Sequence, residues 1–170
     1  MKKRGLFPDY HLAGAFELTP GFLKAEGFRA VIWDIDNTLV SPNGPADEKS
    51  KSLMRLLGEN GISCFILSNN HPARVESFAR ELGLPYIAEA KKPNPKGFRE
   101  AAARMGVSPE ETLVAGDQWL TDFWGARRAG MRFLLVDALD PRHEQPFVRL
   151  KRVLEWPFSV AYRRYLAKNS

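Results

Sequence analysis

The feature that most constrains this chain is the alternation of short apolar runs with longer amphipathic segments. Apolar runs occupy positions 28–33, 62–67, 112–115 and 131–136, with a weaker one at 85–88. Each is short enough for a strand buried on both faces. Segments of helical periodicity lie between them, at about 46–58, 72–82, 95–105 and 119–129. Pro95 suits the first turn of the third, while Gly83 and Gly130 stand where the second and fourth would turn into left-handed backbone. The pattern predicts an α/β fold, a mostly parallel five-stranded sheet with helices on both faces. At 170 residues, one domain is expected over 1–170, with its core at about 28–137 and an extension at 142–170. Such sheets bind ligands beyond the carboxyl ends of their strands, near the point where strand order reverses. Chemistry should therefore be sought where each run stops.

The first run stops at Asp34-Ile35-Asp36-Asn37-Thr38, two carboxylates leaving a buried strand together. Their repulsion is relieved by a divalent cation or by a division of protonation states. The second stops at Ser68-Asn69-Asn70, a hydroxyl and two amides before a helix, a setting that suits an anion. Lys92 follows the weak strand, and the fourth run stops at Gly116-Asp117-Gln118 with Asp122 five residues beyond Asp117. Each group has a bland reading alone: a turn, a helix cap, a loop charge. Four consecutive strand ends delivering carboxylates, hydroxyl, ammonium and carboxylates to one edge make a phosphoryl-transfer site the better reading. That chemistry needs charge neutralisation, positioning and leaving-group protonation. Carboxylate and carbonyl oxygens suit Mg²⁺, and there is no competing cluster of thiolates or imidazoles.

Several function classes are excluded. The lone Cys64, inside an apolar run, rules out a disulfide framework and a cysteine-rich metal site, and no arginine stands six positions on to serve a cysteine-based phosphatase. No stretch approaches the ~20 apolar residues of a membrane span. The start Met1-Lys2-Lys3-Arg4 leads into Pro8, Asp9 and His11, not into an apolar signal region, so a cytoplasmic protein is expected.

At these positions the sequence resembles the haloacid-dehalogenase (HAD) superfamily, whose four motifs are matched by Asp34/Asp36/Thr38, Ser68, Lys92 and Asp117/Asp122. The stretches Asp-Ile-Asp-Asn-Thr-Leu-Val, Leu-Ser-Asn-Asn, Lys-Lys-Pro and Gly-Asp-Gln-Trp-Leu-Thr-Asp resemble more narrowly the YqeG-type phosphatases of subfamily IIIA. Leu6-Phe7-Pro8-Asp9 does too. These are related to the enzymes that dephosphorylate phosphatidylglycerophosphate. The resemblance implies a Rossmann-like HAD fold in which Asp34 attacks phosphorus to give an aspartyl-phosphate. Asp36 would serve as acid and then base. It further implies Mg²⁺ held by Asp34, the Asp36 carbonyl and Asp117, with Ser68, Asn69 and Lys92 gripping phosphate. Asp122 and Thr38 would support them, and Gln118 is a second-line candidate.

Residues 41–61 and 71–91, where the family inserts its cap domains, have no room for a large one, so an open site is expected. The tail at 142–170 holds seven cations against two acids, which accounts for the whole net charge of +5. In it Phe147, Leu150, Val153 and Leu154 form one helical stripe before Pro157, and Phe158, Tyr162, Tyr165 and Leu166 form another. Such stripes more often dock on their own domain than on an anionic bilayer. Three readings stay open: a phosphatase for a lipid headgroup phosphate, with peripheral contact to the inner membrane face, a soluble phosphatase for sugar phosphates, nucleotides or phosphoproteins, and a non-catalytic RNA- or ribosome-associated module. The intact Asp34/Asp36 pair speaks against the last, and no nucleic-acid motif is present, so no nucleic-acid partner is expected.

Overall fold

The computed structural model describes residues 5–144 and 146–169, and the basic Met1-Lys2-Lys3-Arg4 start lies outside them. Six strands form one all-parallel sheet: β1 (Tyr10–Leu12), β2 (Ala30–Trp33), β3 (Ser63–Leu67), β4 (Tyr86–Ile87), β5 (Thr112–Gly116) and β6 (Arg132–Val136). Their spatial order is β1-β6-β5-β2-β3-β4. The helices are α1 (Pro20–Ala25), α2 (Glu48–Glu59), α3 (Pro72–Leu82), α4 (Pro95–Arg104), α5 (Trp124–Ala129) and α6 (Pro146–Asn169).

The expected count of five strands is corrected to six by β1. That strand is three residues at the sheet edge with exposed His11 at its centre, so it presents no apolar run. The four long apolar runs are strands because both their faces are covered, and the weak run forms β4 at the other edge. Val31 and Trp33 of β2 point to α2 and α3, which supply Leu53, Met54, Leu57, Val75 and Phe78. Ile32 points the other way, among Phe65, Val114 and Phe133 and the helical residues Phe98, Ala101 and Ala126. The expected helix at 119–129 divides into a π-turn, Trp119–Phe123, followed by α5. Gly83 and Gly130 end α3 and α5 in left-handed backbone, at φ 67° and 88°.

From β2 the chain steps outward through β3 to β4, then returns across the sheet to place β5 on the other side of β2. Strand order therefore reverses between β2 and β5. Trp33 pairs with Ala115, and the Asp34 N–H donates to the Ala115 carbonyl at 3.1 Å. That register sets Asp34 level with Gly116, one residue short of Asp117.

The helix α6 runs unbroken through Pro157. At 24 residues it is about 36 Å long. Its two apolar stripes fare differently. Tyr162 is buried beside Trp119, and Phe7 lies against Tyr162 and Tyr165. Phe147, Leu150, Val153 and Leu154 face outward.

Candidate active site

Parallel pairing brings the ends of β2, β3 and β5 to one edge, with the loop after β4 beside them. Lys92, buried on that loop, donates from Nζ to Asp34 Oδ1 at 2.7 Å and to Asp122 Oδ1 at 2.6 Å. Asp122 folds back from the π-turn against Gly116, where a Cβ would stand 2.6 Å from its carboxylate. Glycine at that strand end is therefore a steric requirement. The distant residues Asp34, Lys92, Asp117 and Asp122 thus form one buried cluster.

Asp36 lies at the rim, half-buried. Its Oδ1 accepts from the Asn43 N–H at 3.0 Å and from Arg74 Nη2 at 3.3 Å, and its Oδ2 accepts from Asn70 Nδ2. Ser68 is buried with its Oγ accepting the Asn70 N–H at 3.2 Å. Asn69, grouped above with the phosphate-gripping residues, has both ends of its amide on Lys92. Its Oδ1 accepts the Lys92 N–H at 2.7 Å, and its Nδ2 donates to the Lys92 carbonyl at 3.2 Å. Thr38 is fully buried, and its hydroxyl has no partner among the described residues. Gln118 accepts from the Thr121 hydroxyl at 3.1 Å.

Sequence reasoning missed the residues that close the site from the far end of the chain. A pocket of about 240 Å³ is lined by Asp34, Asp36, Ser68, Asn70 and Lys92 on the sheet side, and by Glu144, Phe147, Val148 and Lys151 on the other. Neither expected gap holds a cap, yet the start of α6 gives the site a wall. Arg152 reaches inward from α6. Its Nη2 donates to Asp117 Oδ2 and to Glu144, and its Nη1 donates to the Asp117 carbonyl at 3.2 Å. Glu144 also accepts from Asn37 Nδ2 at 2.6 Å, and Asn37 Oδ1 accepts the Asp140 N–H at 2.8 Å. Asn37 sits at φ 64°, a conformation asparagine tolerates better than most residues. Nothing local in the sequence marks Glu144 or Arg152, and only Asn37 stands inside the motif, between Asp36 and Thr38.

The electrostatics follow from burial. Desolvation pushes the Asp34 carboxyl up to about 7 against the pull of Lys92, and the neighbouring Asp122 and Asp36 add to the rise. Burial disfavours the Lys92 ammonium, but Asp122 and Asp34 outweigh it and keep Lys92 charged. Asp117 is pushed well above the usual carboxylate range by desolvation, opposed by Arg152. Crowded carboxylates of this kind invite a cation. Asp34, Asp117 and Asp122 each offer an oxygen within 4.8 Å of the others, and Asp117 Oδ1 is buried with no partner among the described residues. An all-oxygen donor set with an unused carboxylate oxygen fits a hard divalent cation.

Residues 43–130 match the haloacid dehalogenase-like hydrolase family, a span that holds Ser68, Lys92, Asp117 and Asp122. The chain is 38% identical over 137 residues to the probable phosphatase YqeG of Bacillus subtilis, covering 80% of each protein. It is 31% identical over 143 residues to a chloroplastic phosphatidylglycerophosphate phosphatase 1 of Chlamydomonas reinhardtii, covering 78% of this chain and 53% of that one. The chain thus spans about half of that relative. A solved HAD-family hydrolase from Deinococcus radiodurans with bound phosphate and sodium superposes at a TM-score of 0.58. It is 19% identical, over 71% of this chain and 85% of the other.

Proposed function

Because the chain belongs to the haloacid dehalogenase-like hydrolase family and is a phosphatase, we propose that it is a Mg²⁺-dependent phosphomonoester hydrolase working through an aspartyl-phosphate at Asp34. The observation that carries this is the buried cluster in which one ammonium, Lys92, is shared by Asp34 and Asp122 beside Asp117. A phosphate dianion entering the pocket meets Lys92 and the Ser68 hydroxyl, which take its oxygens. An Asp34 oxygen attacks phosphorus as the bond to the leaving oxygen breaks. Asp36, held by Asn43 and Asn70, gives its proton to that oxygen. It then takes a proton from the water that attacks phosphorus, which breaks the bond to Asp34 and releases inorganic phosphate. Asn69 acts by fixing the Lys92 main chain, and Asp122 by orienting its ammonium. Mg²⁺, held by Asp34, the Asp36 carbonyl and Asp117, would neutralise charge on the transferring group.

The substrate we propose is a phosphomonoester on a lipid headgroup, phosphatidylglycerophosphate, met by a cytoplasmic protein. Two observations support it: similarity to a phosphatase of that name, and a site with no inserted cap to exclude a large substrate. Phosphate release from phosphatidylglycerophosphate vesicles and from a panel of sugar phosphates and nucleotides, with and without Mg²⁺, tests both parts. The expected result is Mg²⁺-dependent release that favours the lipid and disappears in Asp34→Asn. Faster turnover of a soluble metabolite would overturn the substrate, and release by Asp34→Asn would overturn the nucleophile.

A further inference from the structure

The outer half of α6 is apolar. Phe147, Leu150, Val153, Leu154 and Trp156 are each between 58% and 68% exposed. At about 100° per residue they fan over the side of the helix opposite Glu155 and Tyr162. Charge on this segment is sorted just as sharply. Its two acids, Glu144 and Glu155, are buried, and Arg152 is engaged with Asp117 and Glu144. Arg142, Arg149, Lys151, Arg163, Arg164 and Lys168 are exposed or half-exposed. Among the described residues of this segment, six cations and no acid therefore remain at the surface. Monomeric proteins rarely leave such an apolar patch bare. A second copy docking by the same face would set the two basic arrays against each other.

We infer that this face lies on an anionic phospholipid bilayer, its apolar side chains in the headgroup boundary and its cations on lipid phosphates. Phe147 belongs both to this face and to the pocket wall, so docking opens the pocket at the bilayer surface. The inference deepens the lipid-phosphate reading and rests on it for the purpose of docking, not for docking itself. The test is co-sedimentation of the full chain with vesicles of phosphatidylglycerol and phosphatidylcholine in equal parts, against phosphatidylcholine alone. The first should bind the protein, and added salt should weaken the binding. Leu150→Glu/Leu154→Glu and, separately, Arg163→Glu/Arg164→Glu should each lose roughly tenfold or more in affinity, with turnover of para-nitrophenyl phosphate unchanged. Absent binding, equal binding to both vesicles, or full binding by folded variants would overturn the inference. So would a wild-type dimer that the leucine variant makes monomeric, which assigns the face to a second copy. Vesicle binding without lipid turnover would sink the substrate alone.

A separate observation concerns the inner face. Arg152 occupies Asp117 Oδ2 and the Asp117 carbonyl, and leaves Oδ1 buried beside Asp34 and Asp122 without a partner among the described residues. The geometry points to Arg152 as a positioning residue that aims Oδ1 at the cation, with Glu144 bracing it against Asn37. Calorimetry of Mg²⁺ binding, which needs no turnover, reads this directly. Arg152→Ala should weaken Mg²⁺ roughly 10- to 100-fold, and Arg152→Lys, which keeps one donor, should recover part of the loss. Equal or tighter Mg²⁺ binding in a folded variant of either kind would overturn it, and would make the guanidinium a competitor of the metal.

Discussion

The strand-end cluster and the helix α6 solve opposite problems. In the cluster, charge is buried and every group is committed to another: Lys92 to Asp34 and Asp122, Arg152 to Asp117 and Glu144. In the rest of α6, large apolar side chains are left in the open beside the exposed cations Arg149, Arg163, Arg164 and Lys168. Buried charge costs stability unless it is compensated, so a fold keeps it where chemistry needs it. Exposed apolar surface costs little stability and persists where something covers it. On the reading proposed above, the difference divides function between a site that reacts and a surface that locates it.

The sharpest test of that division is Asp34→Asn, which should lower turnover by roughly 10⁴-fold or more while the melting temperature moves by only a few degrees. Under the core, Leu57→Ala should cost about 2–5 kcal/mol in urea unfolding, because Leu57 is fully buried. Leu154→Ala on α6 should stay within about 0.5 kcal/mol, and a cost like that of Leu57 would break the comparison. Saturating Mg²⁺ at about 100 times its dissociation constant should stabilise the wild type by about 2.7 kcal/mol, seen as a rise in melting temperature that Asp117→Asn lacks. A further, pH-dependent effect is expected at the start of α2. Partial burial pulls the Asp47 carboxyl upward, but hydrogen bonds from the Ser50 hydroxyl and N–H outweigh it and hold Asp47 below the usual carboxylate range. A depressed pKa gives stability that is present above the unfolded value of about 4 and is lost as pH falls through the folded one. Asp47→Ala should therefore cost about 1 kcal/mol at neutral pH and close to nothing in acid.

What could be read from the chain beforehand follows the same division. The ends of β2, β3 and β5 were legible because an apolar run and the polar residue that stops it are adjacent in sequence, and parallel pairing does the rest. The strand β1 escaped because its single neighbour, β6, lies more than a hundred residues away and its centre is exposed. The π-turn at Trp119–Phe123 escaped because its apolar pattern matches that of the helix it precedes. Arg152 read as one more basic tail residue. Its partner Asp117 is 35 positions back, and no local pattern encodes a contact at that distance. Glu144 and Asn37, 107 positions apart, are a harder case still. The two stripes of α6 were visible, but which of them packs inward depends on Trp119 and Phe7, which come from different parts of the chain.

The Asn37–Glu144 bond joins the loop after the first long strand to residues just before the last helix. A chain emerging from the ribosome presents Asp34 early and Arg152, which engages Asp117, more than a hundred residues later. Contacts this distant in sequence close late in folding. The catalyst would therefore stay unassembled during synthesis until its final segment docks.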